Sequence, residues 1–284
     1  MGQLQPQGES MRRLQPLPVA LVLGLLACTA LARLSLAGPA AAPAKAKPDE
    51  ASWMRRVRLV WRTHNWAGHS RAEQRTAEKA VLSEGKARAA AALRPMLGRP
   101  LEDPLRLQAA FTMALLDLDY MAGRDTLLRY LRALAVNRGH VEVDWHRLMK
   151  AVADPEAPSD TNLVIPEDIA GLVYEVYERR GDPKLLTGLL DLSPYTDGDL
   201  SEGLGAMLHD VVRKTPRALL MELRHQPQKV WQSVPSLIGF DLDSGVSLQR
   251  ALPKLYQISR KKSDPLQLPA QRLLQGIAAR QRQG

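Results

Sequence analysis

The sequence predicts an all-α protein made of stacked helical hairpins, placed behind an N-terminal signal or anchor segment. Three observations lead there. Leu and Ala dominate the apolar residues and both favour helix, while aromatics make up 5% with only 2 Phe, fewer than strand-rich domains use. Apolar residues recur at three- and four-residue spacing through most of the chain after residue 48. Pro, Asp and Gly fall where helices start and stop.

The elements follow in order. Asp49 and Ser52 can cap a first helix running to about His64, with Trp53, Val57, Val60 and Trp61 on one side and Arg55, Arg56, Arg58 and Arg62 on the others. Such a helix either packs its tryptophans in a core or lays them on a membrane surface. Ser70 opens a second helix that extends to about Leu93, with Gly85 as a break, and Pro95 and Pro100 mark a loop. Asp103-Pro104 reads as a cap followed by a first-turn proline. Leu105, Leu107, Phe111, Leu115 and Leu118 then form an apolar side, Gly123 is expected to stop the helix, and Asp125 to cap the next one. A short helix is expected over 143–152. Residues 154–166 are rich in turn formers and separate an N-terminal helical half, 49–153, from a C-terminal helical-repeat half, 167–284.

The pattern is sharpest after that loop. Ile169, Leu172, Val173, Val176 and Tyr177 share a helix side, and Gly181-Asp182-Pro183 turns into a second helix carrying Leu185, Leu186, Leu189 and Leu190. A shift of 33 residues carries Pro183 onto Pro216, Pro194 onto Pro227, Leu186 onto Leu219 and Leu190 onto Leu223. One helix pair cannot bury its own apolar face, so repeated pairs must stack. Over residues 167–227 the chain resembles HEAT-like helical-repeat proteins. The resemblance implies an α-solenoid-like architecture and a bias toward binding, and no functional residue follows from it. Two further helices are expected at 246–258 and 266–279.

The N-terminus has its own logic. Arg12 and Arg13 precede the uncharged stretch 14–32, and Ser35-Leu36-Ala37 offers a small-residue exit. These are the parts of a secretory signal over residues 1–37, starting at Met1 or Met11. Leu25-Leu26-Ala27-Cys28 resembles the lipobox of bacterial lipoproteins, which makes Cys28 a candidate lipid attachment site. Three fates stay open: cleavage, lipidation at Cys28, or retention as a membrane anchor. Residues 38–48, rich in Ala, Pro and Lys, read as a tether. The expected location is the periplasm or cell envelope.

Cys28 is the only cysteine, so the chain beyond the leader has no disulfide and no thiolate ligand. The net charge is +9, of which the leader accounts for +2. This excess suits either a solvated Arg-rich surface or an anionic surface as partner, and nucleic acid is not the expected one. There are 6 histidines. His64 and His69 do not share a helix face, and Glu142 with His146 supplies too few ligands for zinc. Asp241-Leu242-Asp243-Ser244-Gly245 starts like a calcium loop but lacks the later carboxylates. Asp197 and Asp199 read as helix end and cap, and Gly203 with Gly205 is no dinucleotide fingerprint. No catalytic, cofactor or metal site is expected. The function expected is that of an exported, non-enzymatic interaction or scaffold protein with a protein partner. The alternatives are an exported enzyme on an envelope polymer, with a site assembled from distant residues, or a basic peripheral membrane-binding protein.

Overall fold

Helix follows helix throughout the computed structural model, which describes residues 48–65, 69–136, 166–196, 198–240, 242 and 247–282. Among these residues there are thirteen α-helices, two short 3-10 turns and no strand. In chain order they are α1 (Pro48–Asn65), α2 (Arg71–Leu82), α3 (Lys86–Leu93), α4 (Pro104–Leu116), α5 (Tyr120–Val136), α6 (Pro166–Arg180), α7 (Pro183–Leu192), α8 (Gly198–Lys214), α9 (Pro216–Leu223), α10 (Gln228–Phe240), α11 (Leu248–Ala251), α12 (Pro253–Arg260) and α13 (Gln267–Gln281). The leader, Cys28, the 143–152 helix, Glu142, His146 and all of the 241–245 motif but Leu242 lie outside the described residues.

Local chemistry explains the starts of several of these helices. Ser70 and Glu73 form a reciprocal capping box at the start of α2. Asp103 accepts the Leu105 N–H at 2.9 Å with Pro104 in the first turn of α4, and Asp182 accepts the Lys184 N–H at 2.9 Å with Pro183 in the first turn of α7. Gly85 breaks α2 from α3 with φ of 87°.

Asp49 and Ser52 lie inside α1, which starts at Pro48, and Asp199 lies inside α8, which starts at Gly198, so none of the three is the cap expected of it. Four more expectations fail locally. First, α4 stops at Leu116, where Asp117 takes a left-handed conformation with φ of 59°, so Leu118 falls outside the helix. Second, Gly123 lies inside α5: a Cβ there would sit 2.7 Å from the Ala110 oxygen and the Ala114 nitrogen, so the glycine serves close helix approach and not termination. Asp125 is therefore mid-helix and pairs with Arg124, while Asp119 receives the Ala122 N–H near the helix start. Third, the stretch expected as a loop around Pro95 is a 3-10 turn, Arg94–Gly98. Fourth, Pro253 divides the 246–258 helix: Leu252 leaves the helical region with φ of −127° and ψ of 58°, as a residue before proline is pushed to do.

Packing joins consecutive elements and their next-but-one neighbours. Helix α4 lies along α5 and against α1; α6 lies against α4, α7 and α8; α7 lies against α5 and α9. At the C-terminal end α10 packs on α8 and α13, and α12 on α13. Pro48–Gly284 is one compact unit, and one hydrophobic cluster runs through it from Trp53 to Ile277. Trp53 and Trp61 are each 2% exposed, so α1 turns its apolar side to the core and not to a bilayer. Leu186, Leu190, Leu219 and Leu223 are all fully buried, and Pro216 opens α9 as Pro183 opens α7. The second proline pair is less alike: Pro194 sits within the 3-10 turn Ser193–Tyr195, and Pro227 precedes α10.

Candidate functional site

The C-terminal turns of α6 and α8 carry Arg179 with Arg180 and Arg213 with Lys214. Cations there answer the partial negative charge of unsatisfied carbonyls at a helix end. Stacking α6 on α8 brings these two ends together, and a surface groove forms over them. We call groove the run of three adjoining hollows there, of about 860, 140 and 580 Å³. Lys214 lines all three; Glu178 joins the first to the second and Thr215 the second to the third. The first end is built on α2 by Arg71, Gln74, Arg75 and Glu78, and the far end on α9 and α12 by Arg217, Lys254, Gln257 and Lys261.

Charge is not uniform along the groove. Ion pairs compensate part of the first hollow and its junction with the second. Arg179 bridges Glu78 at 2.8 Å and Glu175 at 3.2 Å, and Lys214 bridges Glu178 and Asp210, both at 2.5 Å. The bond to Asp210, then that to Glu178, holds the Lys214 ammonium above its ordinary pKa. Desolvation works to raise Asp210, but hydrogen bonds from Lys214, Tyr174 and Arg213 outweigh it and keep that carboxyl below the usual range. Burial and the hydrogen bond to Asp210 push the Tyr174 phenol up, so it stays a neutral donor. Other cations are unpaired: Arg71 and Arg75 in the first hollow, and Lys254 and Lys261 in the third, are exposed and have no carboxylate partner among the described residues. Lys254 donates only to the Lys214 carbonyl.

Behind the first hollow lies a group that sequence reading did not assemble. The His64 side chain is fully buried, with Nδ1 2.7 Å from Glu175 and Nε2 3.1 Å from Glu78, the latter without hydrogen-bond alignment. It ties the end of α1 to α2 and α6. Being fully covered, the imidazole cannot touch a ligand in the groove. His69 is separate, at the groove rim 3.7 Å from Glu73. Thr215 donates its hydroxyl to the Val211 carbonyl. Among the described residues no group of three or more His, Cys, Asp or Glu is arranged for a metal ion.

A further hollow of about 430 Å³ lies between α5 and α7, with Arg129, Arg132 and Lys184 around Asp125 and Asp191. Partial desolvation raises the Asp191 carboxyl against the pull of Lys229 and Arg132. Gly203 and Gly205 lie within α8. Among the described residues no helix is long and apolar enough to cross a membrane. Comparison with family models, curated proteins and solved structures finds no match for the chain.

Proposed function

We propose that the chain is an exported, non-enzymatic interaction protein of the cell envelope, whose helices stack as an α-solenoid-like array and bind a partner protein along the groove. The observation that carries this reading is the run of adjoining hollows: five helices, α2, α6, α8, α9 and α12, contribute to three hollows that share Lys214. Helical arrays use such extended faces for binding. The leader-like residues 1–37 support export.

Cell fractionation tests the export half: full-length protein retaining residues 1–37 in the cytosol overturns it. In-cell cross-linking of the full chain tests the binding half. The expected result is a reproducible partner protein; a chain that stays uncross-linked and degrades an envelope polymer overturns it in favour of the enzyme. Cys28 carries a separable proposal, lipid attachment, which rests on the Leu25–Cys28 run. Palmitate labelling is expected to vanish in Cys28→Ser, and labelling that persists removes the proposal.

A further inference from the structure

The uneven charge of the groove specifies a ligand more narrowly than its net sign does. A uniform polyanion, such as polyphosphate or a nucleic acid, would run its charge over Glu78, Glu175 and Glu178, whose own cations already hold them. A flat anionic bilayer would meet a recess, and the exposed apolar side chains suited to insertion, Phe240 and Leu268 foremost, are not among the groove residues. A chain that is acidic at two places and uncharged between them sets its charges on the unpaired cations of the first and third hollows and none on the second.

We propose that the groove takes an extended segment of a partner polypeptide with two acidic clusters flanking an uncharged middle. This rests on the reading of the groove as a binding face. One cluster pairs with Arg71 and Arg75, the other with Lys254 and Lys261. The middle lies over the second hollow, where Lys214 is already held by Glu178 and Asp210 and Tyr174 and Thr215 are neutral side chains. Because the end cations are exposed and free of carboxylate partners among the described residues, binding frees them from no existing ion pair, and complementary charge chiefly speeds and orients encounter. Salt should weaken such a complex strongly.

The test uses the full chain and fluorescence anisotropy. The probe is a synthetic peptide with Glu-rich ends around a Ser/Gly middle; its competitor has the same composition with all Glu placed centrally. We expect the end-clustered peptide to bind more tightly, and Arg75→Glu combined with Lys261→Glu to weaken it by about tenfold or more while flattening the salt dependence. Arg132→Glu on α5 should leave binding unchanged, and unchanged thermal melts for all variants show that folding is intact. Equal binding of the two peptides overturns the proposal. So does tighter binding of polyphosphate, or capture by phosphatidylglycerol vesicles that survives the groove reversal. A photo-cross-linker at Gln257 in the groove and at Met121 outside it separates two failures. A partner captured only from Met121 overturns the groove assignment and leaves the interaction reading standing. Capture from neither position overturns both.

Discussion

The α6–α7 and α8–α9 pairs repeat one core and differ at their turns. Leu186 and Leu190 correspond to Leu219 and Leu223, all fully buried, and Pro183 to Pro216, each in the first turn of its helix. The turn residues diverge. Gly181, with φ of 64°, corresponds to Lys214, Asp182 to Thr215, and Lys184 to Arg217. In the first pair the turn is locked from α5: Tyr120 donates to Asp182 at 2.5 Å and the buried Arg124 at 3.3 Å, while Asp182 caps α7. In the second pair Thr215 makes no side-chain cap to α9, and Lys214, Thr215 and Arg217 face the groove. The correspondence is thus confined to buried leucines and first-turn prolines, and Lys214, Thr215 and Arg217 of the second turn line the surface that we propose to bind.

The largest expected effects test whether the cores are equivalent. Leu190→Ala and Leu223→Ala should each destabilise by about 2–5 kcal/mol, the cost of emptying a packed leucine site. Urea unfolding measures both. Values that differ by more than that range would break the equivalence, as would either variant being neutral.

Next come the turns. Asp182→Ala removes a cap and one partner of a guanidinium that is only 7% exposed, and should cost about 2–3 kcal/mol. Thr215→Ala should cost under about 0.5 kcal/mol, since no cap is lost. The contrast also depends on pH. Desolvation works to raise Asp182, yet hydrogen bonds from Tyr120, the Lys184 N–H and Arg124 hold its carboxyl below the ordinary value. A carboxyl lowered on folding stabilises above its unfolded pKa, and that contribution disappears as pH falls through the folded value. The stability gap between the parent chain and Asp182→Asn should therefore be full at neutral pH and shrink below about pH 4. A gap that stays constant to pH 2 would detach the cap from this ionisation. Gly123→Ala probes the same α4–α5 neighbourhood by packing: its Cβ meets backbone, which cannot swing aside, so a loss of about 1–3 kcal/mol is expected in the melt.

The sequence makes the core legible and the groove illegible for one physical reason, the range of the interactions. Capping, first-turn prolines and helical spacing act within four residues, so Asp103, Asp182, Pro183 and the buried leucines are readable from the chain. Gly123 was misread because a glycine inside a helix and one that ends it have the same local signature; only the approach of α4 distinguishes them. His64 finds Glu175 across 111 positions, and no spacing rule reaches that far. The unpaired groove cations come from α2, α12 and the residue just after α12, each an ordinary surface residue by its local sequence. The signal that was available was modest: basic residues close both α6 and α8, which marks the two ends that meet.

The smallest effects distinguish the two pairs most directly, because Lys184 and Arg217 occupy the same repeat position. Lys184 is exposed and has no carboxylate partner among the described residues, so Lys184→Ala should change stability by under about 0.5 kcal/mol. Arg217 is 58% exposed, but its partner Asp264 is 2% exposed and also receives the Leu266 N–H at 3.0 Å. Removing the guanidinium leaves that covered carboxylate with one hydrogen bond fewer. The exposed half of the pair is screened by water, which keeps the cost near 1 kcal/mol, well below that of a buried pair. Arg217→Lys should recover part of it, since a lysine ammonium can still reach one carboxylate oxygen but not with a guanidinium's planar donors. Equal, negligible effects at 184 and 217 would mean that Asp264 draws nothing from the groove wall. A clear loss at 217 alone would mean that the second pair uses this position to anchor the α12–α13 connection beside the groove, as the first pair uses Asp182 to hold α5.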